Sequence, residues 1–296
     1  MITRMISSLS VSISVLSLLI IVIDSSALDP TAPMFTYSGP TGPEYWGNLS
    51  NDYVPCKNGA VQSPVNIEKD EAVLNSTLNP LNRKYSSSVN STLINSCYHI
   101  GVKFEDQSGA GVLNVDGKDY TLIKLHWHTP SEHQIDGYQF PAELHLVHQA
   151  ADATLSVVSI LYNYTSDDDS VDPFLAEQIE EQLVELPNVS CGGKGARLPL
   201  GNLDLTELGN QAKNYYRYVG SLTTPGCTET VIWTVLQKVR SISQDQVEAL
   251  RNPLNGSYKE NARPTQPLHD RKVQVSDSDN EDDDDDGDND DDDGDD

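Results

Sequence analysis

The sequence predicts a mainly β protein with short peripheral helices, and three observations carry that expectation. Short runs follow the two-residue period of a strand: Thr92–Asn95, Ile100–Phe104, Gly111–Val115, Tyr120–His128, Glu143–Gln149 and Leu155–Tyr162, with Val231–Leu236 as a further buried strand. Turn dipeptides such as Asp116-Gly117 and Asp136-Gly137 separate them. Helical periodicity is confined to two places. Leu175, Ile179, Leu183 and Leu186 share one face of Asp172–Leu186 before Pro187, and Ser243–Leu250 is a shorter candidate.

The two ends of the chain read differently. Residues 1–27 carry Arg4, an apolar and serine-rich run through Val11–Ile23, and small residues Ser25 and Ala27 before a cleavage site. That is the pattern of a signal peptide. Its apolar core is too short to span a bilayer and stops at Asp24, so no stable membrane anchor is expected after cleavage. Six Asn-x-Ser/Thr sequons, at Asn48, Asn75, Asn90, Asn163, Asn188 and Asn255, agree with a secreted, extracellular protein and are expected on surface loops.

Formal net charge is −26, and 15 of the acidic residues lie from Asp277 onward with no basic residue among them. Such a run repels itself and has nothing apolar to bury, so 276–296 is expected to be a disordered Asp-rich tail. It fits a solvating appendage or a weak multivalent Ca²⁺ binder, although no EF-hand spacing is present. Nucleic-acid binding is disfavoured, because the electrostatic term has the wrong sign. The expected organisation is a signal peptide 1–27, a folded domain 28–275 opening with an extended arm, and the tail.

The chemistry concentrates in Leu122–His148, LIKLHWHTPSEHQIDGYQFPAELHLVH. On a strand, Lys124, His126 and His128 share one face, and Ile123, Leu125 and Trp127 share the other. On a second strand, Ala142–Ala150, Glu143, His145 and Val147 lie together, opposite Leu144, Leu146 and His148. Two histidines at i, i+2 and a third from a neighbouring strand can hold a tetrahedral zinc with one open corner, as catalytic sites do. A lone H-x-H is more often an ordinary core or surface feature. Here H-x-H, E-x-H and Ser131-Glu132-His133 fall in one short stretch of a chain with seven histidines.

Those blocks resemble the signature of the α-carbonic anhydrases, and the wording HWHTPSEH looks most like secreted plant-type members. Gln62–Ile67, Ser221–Pro225 and Asn261–Pro267 match further family blocks, so the resemblance spans about residues 40–270. It implies a large, mostly antiparallel, twisted central sheet. It also implies a carbonate dehydratase, a zinc lyase that reversibly hydrates CO₂ to bicarbonate and a proton by attack of zinc-bound hydroxide. Zn²⁺ would be held by His126, His128 and His145. Thr223 would orient the nucleophile and donate to Glu132, with Thr224 on the same floor. Val147, Val157, Leu222, Val231 and Trp233 would form the apolar wall for CO₂. Glu143 would support His145, and the backbone carbonyl of Asn261 would support His128. The Ser63–Pro64 bond would be cis. Cys56 would pair with Cys227, while Cys97 and Cys191 are either a second disulfide or two free thiols.

Several positions depart from the family pattern. Lys124 stands where a glutamine carbonyl usually supports the first histidine, and an ammonium has no acceptor to offer. Gly226 replaces the second proline after Thr223-Thr224, and Ala262 replaces a tryptophan. The proton-shuttle position aligns with Tyr98, and strand alternation would turn the neighbouring His99 to the opposite face. Two other functions stay open: a non-catalytic storage or binding protein of the same fold, and an acidic extracellular matrix protein with a calcium-binding tail.

Overall fold

The computed structural model describes residues 35–164, 171–186, 196–210 and 214–276. The signal-peptide candidate, Asn188, Cys191 and the Asp-rich tail lie outside the described residues. Ten strands form the main path of the sheet: β1 (Val73–Asn75), β2 (Val89–Asn95), β3 (Ile100–Phe104), β4 (Lys118–His128), β5 (Ala142–Gln149), β6 (Leu155–Asn163), β7 (Ala196–Leu203), β8 (Tyr215–Ser221), β9 (Glu229–Leu236) and β10 (Gln274–Ser276). Their spatial order is β7-β2-β3-β4-β5-β6-β9-β8-β10-β1. Along this path β6–β9 and β10–β1 are parallel, and the other pairs are antiparallel. The large, mostly antiparallel sheet expected from the sequence is therefore present. Ser276 is the last described residue of β10.

The sheet separates two cores. Leu125 and Trp127 of β4, Leu144 and Leu146 of β5, and Val158 and Ile160 of β6 join the larger one. Val147, Val157, Leu161, Val231, Trp233 and Val235 belong to the smaller core, on the side that carries the histidines. Alternation along β4 is interrupted once. Pairing with β5 shifts between Val147 and His148, so Lys124 opposes Val147, Leu122 opposes His148, and Ile123 is the extra residue. Ile123 accordingly packs with the histidine-side core, not with Leu125 and Trp127 as strict alternation predicts.

The expected helix over 172–186 is two segments, Pro173–Gln178 and Glu180–Glu185, broken where Ile179 leaves helical geometry at φ −133°. Its four periodic apolar residues are all buried, so the pattern read burial correctly while missing the break. Ser243 caps Gln244–Arg251 through a reciprocal box with Gln246. At both predicted Asp-Gly turns the aspartate and the glycine have positive φ, as such hairpins require. Among the sequons, Asn75, Asn90 and Asn163 lie within strands instead of on loops, though none is buried. Ser63–Pro64 is cis, and so is Thr129–Pro130. Cys56 and Cys227 are bonded, Cys97 is also disulfide-bonded, and no described cysteine is free.

Candidate metal centre

Register alone brings the three histidines together. His126 on β4 lies directly opposite His145 on β5, and His128 lies opposite Glu143. Side chains directly opposite on adjacent antiparallel strands are close neighbours, so the i, i+2 pair and the third ring converge on one point. Their ligand atoms lie within 4.8 Å of one another, and all three residues are buried.

Hydrogen bonds settle which nitrogen faces inward for two of the rings. His128 donates through Nδ1 to the Asn261 carbonyl at 2.7 Å, leaving the Nε2 lone pair turned to the centre. His145 donates through Nε2 to Glu143 Oε1 at 2.7 Å, leaving Nδ1. Burial holds the His126 and His128 rings well below the usual imidazole range, His128 at about 3, and His145 is lowered by the same cause. All three are thus neutral near pH 7, the form that binds a metal. His126 is the exception: its Nδ1 is buried without a hydrogen-bond partner among the described residues.

Glu143 organises the floor behind these rings. Its Oε2 accepts the backbone N–H groups of Glu132 and His133 at 2.7 and 2.8 Å. Its Oε1 accepts His133 Nδ1, His145 Nε2 and the Ser159 hydroxyl at 2.6–2.7 Å. Burial opposes its charge, but the neighbouring His133 and His145 hold its pKa well below the usual carboxylate value. With Nδ1 donating to that carboxylate, His133 Nε2 accepts from the Tyr218 hydroxyl at 2.7 Å, and Tyr218 in turn meets Ser63 Oγ at 2.9 Å. His133, Glu143 and His145 also form a possible metal-holding group by proximity. Their nitrogens point protons at the carboxylate, however, so this is a hydrogen-bonded network.

Glu132 is buried beneath the histidines, with Oε2 3.5 Å from His128 Nε2. Its Oε1 accepts the Arg263 backbone N–H at 2.9 Å. Burial and the nearby Glu143 push its carboxyl well above the ordinary range, while the Thr223 hydroxyl and Arg263 pull it down. Among the described residues, His128 Nε2 is buried without a hydrogen-bond donor. An inward-facing imidazole lone pair with no donor to meet, beside two further buried neutral histidines, is what a cation would satisfy. The residues present therefore fit a metal ion.

Above the rings opens a cleft lined by His126, His145, Val147, Val157, Leu222, Thr223, Thr224 and Trp233, together with Lys124 and His99. Four of the five expected wall residues line it. Val231 is buried in the same core but does not line the cavity. The Trp233 indole donates to the Ser221 carbonyl at 2.9 Å, which fixes the ring over His133 and His145. Thr223 and Thr224 sit on a turn where Gly226 adopts φ +103°, a conformation that suits glycine.

The structure reverses the expectation for Tyr98 and His99. Tyr98 is buried in the other core, its ring 5.1 Å from Phe35, and it does not line the cavity. His99 does line it, with its ring 4.6 Å from that of His126. The segment between β2 and β3 is a bend with Cys97 at φ +77°, so strand alternation does not apply there. Arg263 was also missed as a positioning residue, although its motif was recognised. It is buried, and its guanidinium donates to Gln62 Oε1, the Ser63 carbonyl and the Cys56 carbonyl at 2.8–3.0 Å. It therefore ties the disulfide-bearing segment to the Glu132 floor.

Comparison with known proteins agrees with this geometry. The sequence pattern of eukaryotic-type carbonic anhydrases matches residues 41–277. Alpha carbonic anhydrase 7 of Arabidopsis thaliana is 39% identical over 234 residues, covering 79% of this chain and 81% of that protein. A crystal structure of dioscorin complexed with ascorbate superposes with a TM-score of 0.75 at 35% identity, covering 82% of this chain and 97% of the other. The α-carbonic anhydrase of Thermovibrio ammonificans, in complex with the inhibitor sulfanilamide, gives a TM-score of 0.70 at 33% identity, covering 82% and 99%. The chain belongs to the α-carbonic anhydrase family.

Proposed function

We propose that this chain is a secreted zinc enzyme that interconverts CO₂ and bicarbonate. The observation that carries the reading is the buried His126, His128 and His145 cluster, with lone pairs of two rings turned inward by Asn261 and Glu143. These three residues would hold the ion. As carbonic anhydrases themselves illustrate, zinc bound by three histidines lowers the pKa of its water to about 7 and so supplies a nucleophile at neutral pH.

The chain's own residues do the rest. Glu132, when ionised, is acceptor-only, so the Thr223 hydroxyl donates to it and keeps its oxygen as an acceptor towards the cavity. That fixes the orientation of a hydroxyl group placed above the histidines. Val147, Val157, Leu222 and Trp233 present an apolar wall that favours uncharged CO₂ over water. Glu143 and Asn261 hold the ring orientations, and loss of such support typically costs ten- to a hundredfold in metal affinity.

A disulfide between Cys56 and Cys227 agrees with an oxidising compartment, and no helix among the described residues is long and apolar enough to cross a membrane. Cleavage after residue 27, glycosylation at the sequons, and a solvated tail with weak Ca²⁺ affinity complete the proposal. A second reading is a non-catalytic storage or binding protein of the same fold, favoured by the His126 Nδ1 that has no partner among the described residues and by a similar protein, dioscorin, solved in complex with ascorbate. Metal analysis and stopped-flow CO₂ hydration on the secreted chain separate the two. One zinc per chain with buffered hydration supports the enzyme; a metal-free chain that stays inactive when zinc is added supports the binder.

A further inference from the structure

The main sheet ends on two edges of different character. At one end β7 is protected in familiar ways: Arg197 and Pro199 are exposed, and its pairing with β2 shifts between Pro199 and Gly201. A charge, a proline and a bulge each discourage another strand from adding there. The opposite end, β1, has none of these. Its residues are Val73-Leu74-Asn75, paired in regular parallel register with β10 and with no other strand among the described residues. The Val73 N–H donates inward to the Val273 carbonyl at 2.9 Å, so by the alternation of an extended strand the Leu74 N–H and carbonyl face outward. Val73 is 41% exposed and Leu74 60%. What this edge does carry is a sequon, Asn75-Ser76-Thr77. An Asx turn commits Asn75 Oδ1 to the Thr77 N–H and hydroxyl at 3.0 and 2.7 Å, while Nδ2 donates to Gln274 Oε1 at 3.2 Å.

We propose that Asn75 carries an N-linked glycan and that this glycan shields the β1 edge from strand addition by a second copy of the chain. Transfer joins Asn75 Nδ2 to the anomeric carbon of a polyprenyl-pyrophosphate-linked oligosaccharide. The C–N bond forms as the bond from that carbon to the pyrophosphate oxygen breaks. The lipid pyrophosphate leaves with the electron pair, and Nδ2 releases one proton. One N–H remains on Nδ2, so the bond to Gln274 survives the modification. A bulky, solvated sugar one residue beyond Leu74 then does for this edge what Arg197, Pro199 and the bulge do for the other. This role requires entry into the secretory pathway, and it holds whether or not the chain hydrates CO₂.

The test uses the full chain secreted from eukaryotic cells. Glycopeptide mass spectrometry reads occupancy at Asn75, and light scattering after size exclusion reads the polypeptide mass per particle. Wild type is compared with Asn75→Gln, Thr77→Ala, the sequon-keeping Thr77→Ser, and Asn75→Gln combined with Leu74→Lys. Asn75 is expected to be occupied in wild type and in Thr77→Ser, which share one particle mass. The mass should rise at least about twofold in Asn75→Gln and Thr77→Ala, and fall back when Leu74→Lys puts a charge on the bare edge. Far-ultraviolet spectra identify a variant that fails to fold, and the two sequon-breaking variants are independent routes to the same bare edge. An unoccupied Asn75 in wild type, or the wild-type mass in folded Asn75→Gln or Thr77→Ala, overturns the proposal. So does association that Leu74→Lys leaves intact, because the contact would then lie elsewhere. Glycans at other sequons with a bare Asn75 reject this role alone; a chain bare at every sequon rejects the secreted reading as well.

Discussion

At the scale of single residues, the centre is well supported at two rings and poorly at the third. His128 and His145 each donate to an acceptor, whereas His126 Nδ1 has none among the described residues. Lys124→Gln supplies an amide carbonyl at that place. It should tighten zinc binding by about tenfold in chelator competition, the lower end of what such support contributes. Unchanged or weaker affinity would show that His126 needs no acceptor. Proton removal is the second residue-scale question. Tyr98 is buried away from the cavity, and burial with the nearby Lys124 holds the His99 ring well below the usual imidazole range. Neither group is a good relay at neutral pH, where the best carrier has a pKa near ambient. Turnover should therefore rise substantially with imidazole buffer, and Tyr98→Phe should leave it unchanged. Fast, buffer-independent turnover would contradict this. The convergence of His126, His128 and His145 was legible in the sequence because H-x-H and E-x-H sit on uninterrupted strand segments. The orientations of Tyr98 and His99 were not, because a left-handed residue at Cys97 turns the chain just before them.

At the scale of elements, the β4–β5 pair does most of the positioning. Alternation is reliable from Lys124 to His128 and fails at Ile123, where a bulge not visible in residue types adds one position. The bulge also places His148 opposite Leu122, on the face away from the histidine cluster, where Nε2 meets the Tyr85 hydroxyl at 2.8 Å. Burial lowers the His148 pKa to about 3. An unfolded histidine titrates near 6.5, so the unfolded chain binds the extra proton between these values. The stability from keeping His148 neutral is fully present above about pH 6.5 and is lost as pH falls towards 3, about 3 kcal/mol by pH 4.5. Urea unfolding of wild type and His148→Gln at pH 7 and 4.5 checks this: the pH-dependent difference should shrink in the variant. An equal pH dependence in both would show that His148 does not carry the effect. The helix break at Ile179 is a similar case, because apolar spacing reports which face is buried and not whether the hydrogen-bond ladder is continuous.

At the scale of the whole molecule, the sheet, the Cys56–Cys227 bridge and the Arg263 clamp join segments far apart in sequence around one buried floor. Sequence reading reached this architecture through family blocks and not through local pattern, since no spacing rule pairs Arg263 with Cys56 and Ser63. The Asp-rich tail has nothing apolar to bury and is proposed as a solvated appendage. Deleting 277–296 should leave zinc content and hydration nearly unchanged, and any Ca²⁺ binding should vanish with it. A large loss of hydration in the truncated protein would contradict the appendage reading. The central claim is that three histidines hold a catalytic zinc, and one paired measurement tests it most directly: zinc stoichiometry and stopped-flow CO₂ hydration on wild type and His128→Ala. The account predicts one zinc and active hydration in wild type. In the variant it predicts loss of both, with the far-ultraviolet spectrum retained. Stoichiometric zinc with near-normal hydration in His128→Ala would contradict it.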